Sequence, residues 1–216
     1  EILRTVRNYE ELSNRSEFLA PFLMSCSSKN AKLTSISMQC LQRLSSTPSL
    51  SKDKLSDVLE AFIVATQLAL DMKLKVLQVL PIFFKNYAYD IHGSLCTKML
   101  RCCSSLLQSA NKAPMVVGTA SATLQQLIDE IFERLVPEED RGEANTEKDK
   151  KFDVLIGNNE SIKVDVYRYD ANRLFADLCS SFELTDHSGA LNRVPLLDVR
   201  DLPLDYGLEI LESVMK

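Results

Sequence analysis

The side chains that most often carry catalysis are sparse in this sequence and do not form a group. It contains two histidines, His92 and His187. His187 lies in Asp186-His187-Ser188, which holds the three residue types of a hydrolase triad. Adjacent residues cannot fold onto one another with the hydrogen-bond geometry that a triad requires. The three residue types are therefore adjacent by chance and do not form a catalytic site. His92 precedes Gly93 at an expected helix start, where a capping or solvent position is favoured over a ligand position.

Metal, nucleotide and redox sites are not indicated either. A metal ion needs three or four converging His, Cys or carboxylate groups, and no such spacing occurs. The sequence has no G-x-G and no G-x-x-x-x-G-K-[S/T], so it offers no glycine-rich loop to a pyrophosphate. We therefore expect no enzyme activity, no metal and no cofactor. Without a Cys-x-x-Cys pair or a secretion signal, the six cysteines are interpreted as reduced core thiols: Cys26, Cys40, Cys96, Cys102, Cys103 and Cys179.

The charge and hydropathy of the sequence restrict the kinds of partner that the chain can bind. The 25 basic and 30 acidic side chains are evenly mixed and give a net charge of −5, which is not the footprint of a nucleic-acid-binding protein. No apolar run reaches the roughly 18 residues that a membrane span requires. The chain begins without a signal peptide, so we expect a cytosolic protein that is at most peripheral on a membrane. Lysines that could contact anionic lipid are Lys73, Lys75, Lys85, Lys148, Lys150 and Lys151.

The elements that must position these residues are helices. Glycine (6) and proline (7) are scarce, which argues against a many-stranded β fold. From residue 16 to residue 136 the apolar residues recur at spacings of three and four, as on one face of an amphipathic helix. The successive stripes are Leu33, Ile36, Cys40, Leu41 and Leu44; Leu55, Val58, Leu59 and Phe62; Val76, Val79, Leu80, Phe83 and Tyr87; Leu95, Met99, Cys102, Cys103 and Leu106; and Ala120, Leu124, Leu127, Ile131 and Leu135.

The spacing of the helices predicts the architecture. They begin about every 20 residues, so helix pairs repeat at about 40, the period of HEAT and armadillo arrays. We predict an all-α fold, an armadillo/HEAT-like right-handed solenoid of antiparallel helix pairs. A compact six-helix bundle would give a similar pattern. Pro81 lies inside a helical run, where it predicts a kink, a break into two helices, or a curved groove for a partner.

The composition divides the chain into three parts. Residues 1–136 are expected to form the helical repeat domain. Residues 137–164 begin with a dense mixture of charges and no apolar anchors, which is typical of a flexible linker. Within them Ile162 and Val164 alternate as in a short strand, and we interpret residues 152–164 as an extended connection. Residues 165–216 return to helix and are expected to pack on the solenoid. Interrupted helical patterns at both ends suggest a piece of a longer protein.

Several segments resemble known sequences. Residues 18–32 and the run CLQRL at 40–44 resemble the start of the DCB (dimerisation and cyclophilin-binding) domain of large Arf guanine-nucleotide exchange factors. The run TASATLQQLIDEIFERL at 119–135 resembles the last long helix of that domain, with its T-A-x-A-T-x-x-Q pattern and I-F-x-R ending. Asp170-Ala171 followed by LFADLC at 174–179 resembles the opening of the neighbouring HUS region. YGLEILESV at 206–214 is similar to the F-G-L-E-L-L-E-S-V-L run of the Mon-two (Ysl-two) family, Golgi relatives that lack the catalytic Sec-seven domain.

The resemblance implies a non-catalytic scaffold, peripheral on trans-Golgi and endosomal membranes, that self-associates or binds other trafficking proteins. The partners it implies are a Dopey-family protein, an aminophospholipid flippase and an Arf-like GTPase. An alternative hypothesis is a direct reader of anionic membrane, through the lysines named above, or of an Arf-like GTPase. Positions that match the family motifs are interpreted as structural residues of the DCB–HUS junction: Asp170, Phe175, Asp177, Gly207 and Glu209.

Overall fold

Helices dominate the structure, as the apolar periodicity predicts. The computed structural model describes residues 8–28, 30–108, 113–135, 151–156, 160–180, 195–198 and 202–215. Within these ranges the all-α class is confirmed, because nine α-helices accompany a single two-stranded sheet. The stacking of helix pairs into a right-handed solenoid remains a prediction. The helices are α1 (Tyr9–Ser13), α2 (Ala20–Ser27), α3 (Ala31–Ser45), α4 (Leu55–Ala65), α5 (Leu70–Asn86), α6 (Ser94–Gln108), α7 (Pro114–Glu133), α8 (Val166–Ser180) and α9 (Leu204–Val214).

Local capping determines where several helices begin. The side chain of Asn30 accepts hydrogen bonds from the Lys32 and Leu33 amides at 3.1 and 3.2 Å, which satisfies donors in the first turn of α3. Pro114 occupies the first position of α7, where its missing N–H costs nothing. Short 3₁₀ turns, Ser16–Leu19 and Lys52–Lys54, lead into α2 and α4. Helix α5 continues through Pro81 without a break, so the predicted division into two helices does not occur.

The chain divides into two compact units. Unit 1 comprises Glu1–Ile91 and Ser105–Thr123, and unit 2 comprises His92–Ser104 and Leu124–Lys216. In the core of unit 1 the Phe62 and Phe83 rings pack edge to face with their centroids 5.7 Å apart, and Phe83 in turn packs against Tyr87. These residues belong to the predicted apolar stripes of α4 and α5, and all three are buried. The predicted domain boundaries at residues 136 and 164 remain predictions.

A β-hairpin replaces part of the expected connection. Strand β1 (Phe152–Ile156) pairs with β2 (Glu160–Val164) in antiparallel register, with Phe152 opposite Val164 and Val154 opposite Ile162. The Phe152 ring stacks on Tyr169 of α8 at 4.7 Å between centroids, and the Arg173 guanidinium carbon lies 5.6 Å from the Tyr169 centroid. Residues 152–156 and 160–164 are therefore a folded part of unit 2. Residues 137–150 of the predicted linker lie outside the described residues.

One tyrosine at the end of α5 fixes the connection between α3 and α4. The Tyr87 hydroxyl donates to the Thr47 carbonyl oxygen and accepts from the Leu50 amide at 3.0 Å. Asn86 adds a bond from Nδ2 to the Ser45 carbonyl at 2.8 Å. Burial raises the pKa of Tyr87 above its ordinary value, which keeps the hydroxyl protonated and able to donate. The loop is held by side chains that lie about 40 residues away in the sequence.

Replacement of this hydroxyl provides a test of the loop. Tyr87→Phe leaves the buried Leu50 amide without its acceptor, so we expect it to lower the free energy of unfolding by about 1–3 kcal/mol. Urea denaturation monitored by circular dichroism measures the difference. Tyr9→Phe is the matched control, because it removes the same hydroxyl from an exposed ring. Equal stabilities of the two variants would contradict the assigned role.

Candidate functional site

Helix α3 presents part of its apolar side chains outward. Leu33 and Ile36 are 47% and 59% exposed, and Cys40 and Leu44 are half-buried. We call these four residues the α3 stripe. The apolar periodicity places these four residues with Leu41 on one face of an amphipathic helix, and of that set Leu41 alone is buried. The α3 stripe therefore does not lie in the buried core. The side that packs inward consists of Thr34, Ser37, Met38, Leu41 and Ser45.

The small inward-facing residues explain this orientation. Helix α3 packs against α2 and α5, and the axial separation of packed helices depends on the size of the side chains between them. Thr34 and Ser37 take little space, and the Thr34 hydroxyl donates to the Ser25 carbonyl of α2 at 3.3 Å. On the α5 side, Lys75 Nζ donates to the Ser35 hydroxyl at 3.0 Å. Hydroxyl-bearing side chains thus fill the contact, while Met38 and Leu41 supply its apolar burial.

The α3 stripe has a basic border. Lys32 and Arg43 are exposed and lie beside the stripe on the side away from the buried face, with exposed Gln39 between them. Helix α3 contains no aspartate or glutamate. Contiguous exposed apolar side chains rimmed by polar groups are typical of protein-interaction surfaces. The arrangement can bind another apolar surface, preferably one that carries negative charge.

Asp170, one of the predicted motif positions, is a buried carboxylate of α8. Its Oδ2 accepts the Gly93 amide hydrogen at the start of α6, and its Oδ1 lies 3.8 Å from Arg173 Nη1. Gly93 has φ +53°, a left-handed conformation that favours glycine. Burial raises the pKa of Asp170, while the Gly93 bond and the charges of Arg173, His92 and Arg134 oppose the rise. Asp170 joins two helices of unit 2.

The surroundings of Asp170 do not favour nucleophilic chemistry. Cys96 is nearby, but burial, followed by the Asp170 charge, raises its thiol pKa to about 12. A thiol with that pKa is almost entirely protonated at neutral pH and is a poor nucleophile. Among the described residues, no cluster of three or more His, Cys, Asp or Glu side chains could hold a metal ion. The arrangement suits a structural carboxylate.

Asp177 is a second buried carboxylate on α8 with a different partner. Its Oδ2 accepts hydrogen bonds from two consecutive amides, Leu196 at 2.7 Å and Leu197 at 3.2 Å. These bonds tie residues 195–198 to the helix, and both leucines are buried. A carboxylate with two amide donors is well compensated for its burial. The hydrogen-bonding capacity of this carboxylate oxygen is therefore used by backbone amides and not by a ligand.

The remaining predicted positions do not gather into one site. Phe175 is partly exposed on α8, Gly207 is buried in α9, and Glu209 is exposed on α9. Asp170 and Asp177 also have separate partners. Residues that are scattered in this way are typical of structural roles and not of one binding site. Their assignment to a DCB–HUS junction stays a prediction.

The lysines proposed to contact lipid are also dispersed. On α5, Lys73 and Lys85 are separated by about 18 Å along the axis, and Lys75, which is bonded to Ser35, points to another side of the helix. Lys151 is exposed, whereas Lys148 and Lys150 lie outside the described residues. The structure does not bring the α5 lysines together, and their contact with lipid stays a prediction. No helix in the described ranges combines the length and apolar character needed to cross a membrane.

Comparison with known proteins identifies relatives. The family model of the Mon2/Sec7/BIG1-like DCB domain, described as dimerisation and cyclophilin-binding, matches residues 1–139. The chain is 56% identical over its full length to Protein MON2 of Saccharomyces cerevisiae, of which it covers 13%. It is 29% identical to the MON2 homolog of Homo sapiens over 97% of this chain and 12% of that protein. The MON2 homolog of Schizosaccharomyces pombe is 28% identical over 95% of this chain and 11% of its own length. No solved structure matches the chain.

The raised pKa of Asp170 predicts a pH dependence. Because the folded-state pKa lies above the unfolded one, protonation favours the folded chain as the pH falls through the folded pKa, and the benefit is complete below the unfolded value near 3.8. Asp170→Asn keeps an acceptor for Gly93 but cannot titrate. We therefore expect wild type to gain stability relative to Asp170→Asn as the pH is lowered toward 3.8.

Urea denaturation at each pH measures this difference. Asp153→Asn, which removes an exposed carboxylate of the hairpin, is the matched control for the substitution itself. A difference between wild type and Asp170→Asn that stays constant with pH would show that the carboxylate titrates normally.

Proposed function

Because the chain belongs to the Mon2/Sec7/BIG1-like family of DCB domains, we propose that it is a non-catalytic protein-docking domain of a larger trafficking protein. The family description, dimerisation and cyclophilin-binding, names protein contacts and no reaction. The chain spans only about an eighth of the length of the relatives quoted above, so the activity of a whole protein is part of the proposal.

The outward-facing α3 stripe is the observation that carries the proposal. A soluble domain normally buries such a stripe, and here Leu33 and Ile36 lie about half in solvent while small hydroxyl residues occupy the interior. The stripe lies within the residues that the family model matches. Its aliphatic side chains supply apolar surface for the contact. The positive charges of Lys32 and Arg43 would orient an acidic partner and repel a basic one.

We extend the proposal to the setting that the sequence resemblance implies. The domain would act on the cytosolic side of trans-Golgi and endosomal membranes, as part of a peripheral protein. There it would self-associate or hold other trafficking proteins, among which a Dopey-family protein, a flippase and an Arf-like GTPase are candidates. The dispersed α5 lysines give less support to the alternative, a direct reader of anionic lipid, than the α3 stripe gives to protein docking.

A charged substitution in the stripe tests the proposed function in a complete protein. The matching stretch of the Saccharomyces cerevisiae relative would be replaced by this chain and the chimera labelled with a fluorescent protein. Ile36→Glu places a charge in the centre of the stripe at an exposed position, so the fold should persist while docking weakens by about tenfold or more. We expect the chimera with Ile36→Glu to lose most of its colocalisation with a trans-Golgi marker.

Gln78→Glu serves as the matched control, since it adds the same charge at an exposed polar position of α5. It should leave localisation at the level of the unsubstituted chimera. Equal localisation of the Ile36→Glu and Gln78→Glu proteins, at equal expression, would refute the assignment of docking to this face.

A further inference from the structure

A serine at the end of α3 has the sequence context of a kinase substrate. An arginine three residues before a serine or threonine occurs twice in the chain, as Arg43 with Ser46 and as Arg101 with Ser104. Many protein kinases select this spacing, because acidic side chains of the kinase pair with the arginine of the substrate. The structure distinguishes the two positions, since Ser104 is buried in α6 and Ser46 is exposed.

The hydroxyl of Ser46 lies on the surface at the C-terminal end of α3. Ser46 directly follows the last residue of the helix, and its side-chain hydroxyl donates to the Gln42 carbonyl oxygen at 3.0 Å. Arg43 is exposed about one turn earlier. The terminal turns of helices open more readily than their interiors, so a kinase can bind this turn in extended form.

Two side chains of α5 hold the main chain on either side of Ser46. Asn86 donates to the Ser45 carbonyl oxygen, and the Tyr87 hydroxyl donates to the Thr47 carbonyl oxygen. Neither bond involves the Ser46 hydroxyl, so both keep the residue at a defined place on the surface and leave its side chain outside the contact. The same bonds would hold a phosphate on Ser46 at the end of α3.

This place belongs to the basic border of the α3 stripe. At helical spacing, Ser46 continues the exposed row that contains Lys32, Gln39 and Arg43. Helix α3 contains no acidic residue, so the border of the unmodified chain is positive. A phosphate on Ser46 would lie within one turn of Arg43, close enough for a charge-assisted hydrogen bond to its guanidinium.

We propose that Ser46 is phosphorylated by a protein kinase that selects basic residues, and that the phosphate weakens docking at the α3 stripe. In the reaction, the Ser46 Oγ attacks the γ-phosphorus of ATP, the bond from that phosphorus to the bridging oxygen of ADP breaks, and ADP leaves. The hydroxyl proton passes to a carboxylate of the kinase. The inference rests on the proposed function, since it concerns regulation of the same surface.

The regulation follows from charge. A phosphoserine carries about −1.5 to −2 charges at pH 7, which exceeds the single positive charge of Arg43. The C-terminal part of the border therefore changes from positive to negative. An acidic partner, which the unmodified border attracts, is then repelled.

Phosphorylation of the purified chain tests the site. The chain is incubated with ATP and calmodulin-dependent protein kinase II, a kinase that selects arginine at this spacing, and the phosphate is mapped by mass spectrometry. We expect phosphate on Ser46 and none on the buried Ser104. Arg43→Gln should slow the modification of Ser46 by about tenfold or more, because it removes the charge that the kinase recognises.

Arg101→Gln is the matched control, since it removes an exposed arginine from the second motif and should leave the modification of Ser46 unchanged. Circular dichroism spectra of both variants should match the spectrum of wild type. A wild-type chain that carries no phosphate on Ser46 overturns the assignment, as do equal rates of Ser46 modification in Arg43→Gln and Arg101→Gln.

The effect on docking is measured in the fluorescent chimera described above. Ser46→Glu places a negative charge at the end of the border, and Ser46→Gln is the matched control with a side chain of the same size and no charge. We expect Ser46→Glu to reduce colocalisation with the trans-Golgi marker and Ser46→Gln to retain it. Equal colocalisation of the two proteins, at equal expression, would refute regulation by charge at Ser46.

These outcomes are separable from the failure of the proposed function. If Ile36→Glu abolishes localisation of the chimera and Ser46→Glu does not, docking at the α3 stripe stands and its regulation at Ser46 is refuted. If neither substitution changes localisation, the proposed function fails and the regulation fails with it.

Discussion

The outward orientation of the α3 stripe depends on the small, hydroxyl-bearing residues through which α3 packs against its neighbouring helices. Thr34, Ser37 and Ser45 are buried, and Thr34 donates to a main-chain carbonyl of α2. Leucines at these positions would require a wider separation of the helices. Since these small side chains take up much of the inward face beside Met38 and Leu41, Leu33 and Ile36 of the same helix are turned toward solvent. The domain can therefore offer an apolar surface to a partner while its own core stays buried.

Unit 2 uses buried carboxylates where unit 1 uses hydroxyls. Asp170 binds the amide of Gly93, and Asp177 binds the amides of Leu196 and Leu197. In each case a charged group on α8 receives backbone donors from a segment that is not helical at that point. Burial of a carboxylate is costly unless such donors compensate it, so removal of either partner destabilises the segment as well as the helix. These two motif positions therefore hold non-helical segments of unit 2 to α8.

The sequence predicts the helices more reliably than their orientation. The stripes of α4 and α5, such as Val58 and Phe62 or Val76 and Phe83, are buried as their periodicity indicates. The α3 stripe has the same periodicity and faces outward, because periodicity identifies an apolar side but not the neighbours that fit the opposite one. The alternation of Ile162 and Val164 indicates an extended segment, but the pairing of β1 with β2 was not predicted, although Gly157-Asn158-Asn159 between the two runs is typical turn composition. The partners of Asp170 and Asp177 depend on contacts over long sequence distances, which no local pattern contains.

The orientation of α3 is the central claim, and Cys40 reports on it directly. Alkylation by iodoacetamide in the dilute chain, mapped by mass spectrometry in a Cys179→Ser variant, measures the exposure of each remaining thiol. Cys40 should react much faster than Cys26, Cys96 and Cys102, whose burial raises their pKa values to about 11, about 12 and about 12. A Cys40 that reacts as slowly as those buried thiols would place the α3 stripe in the core and contradict the account.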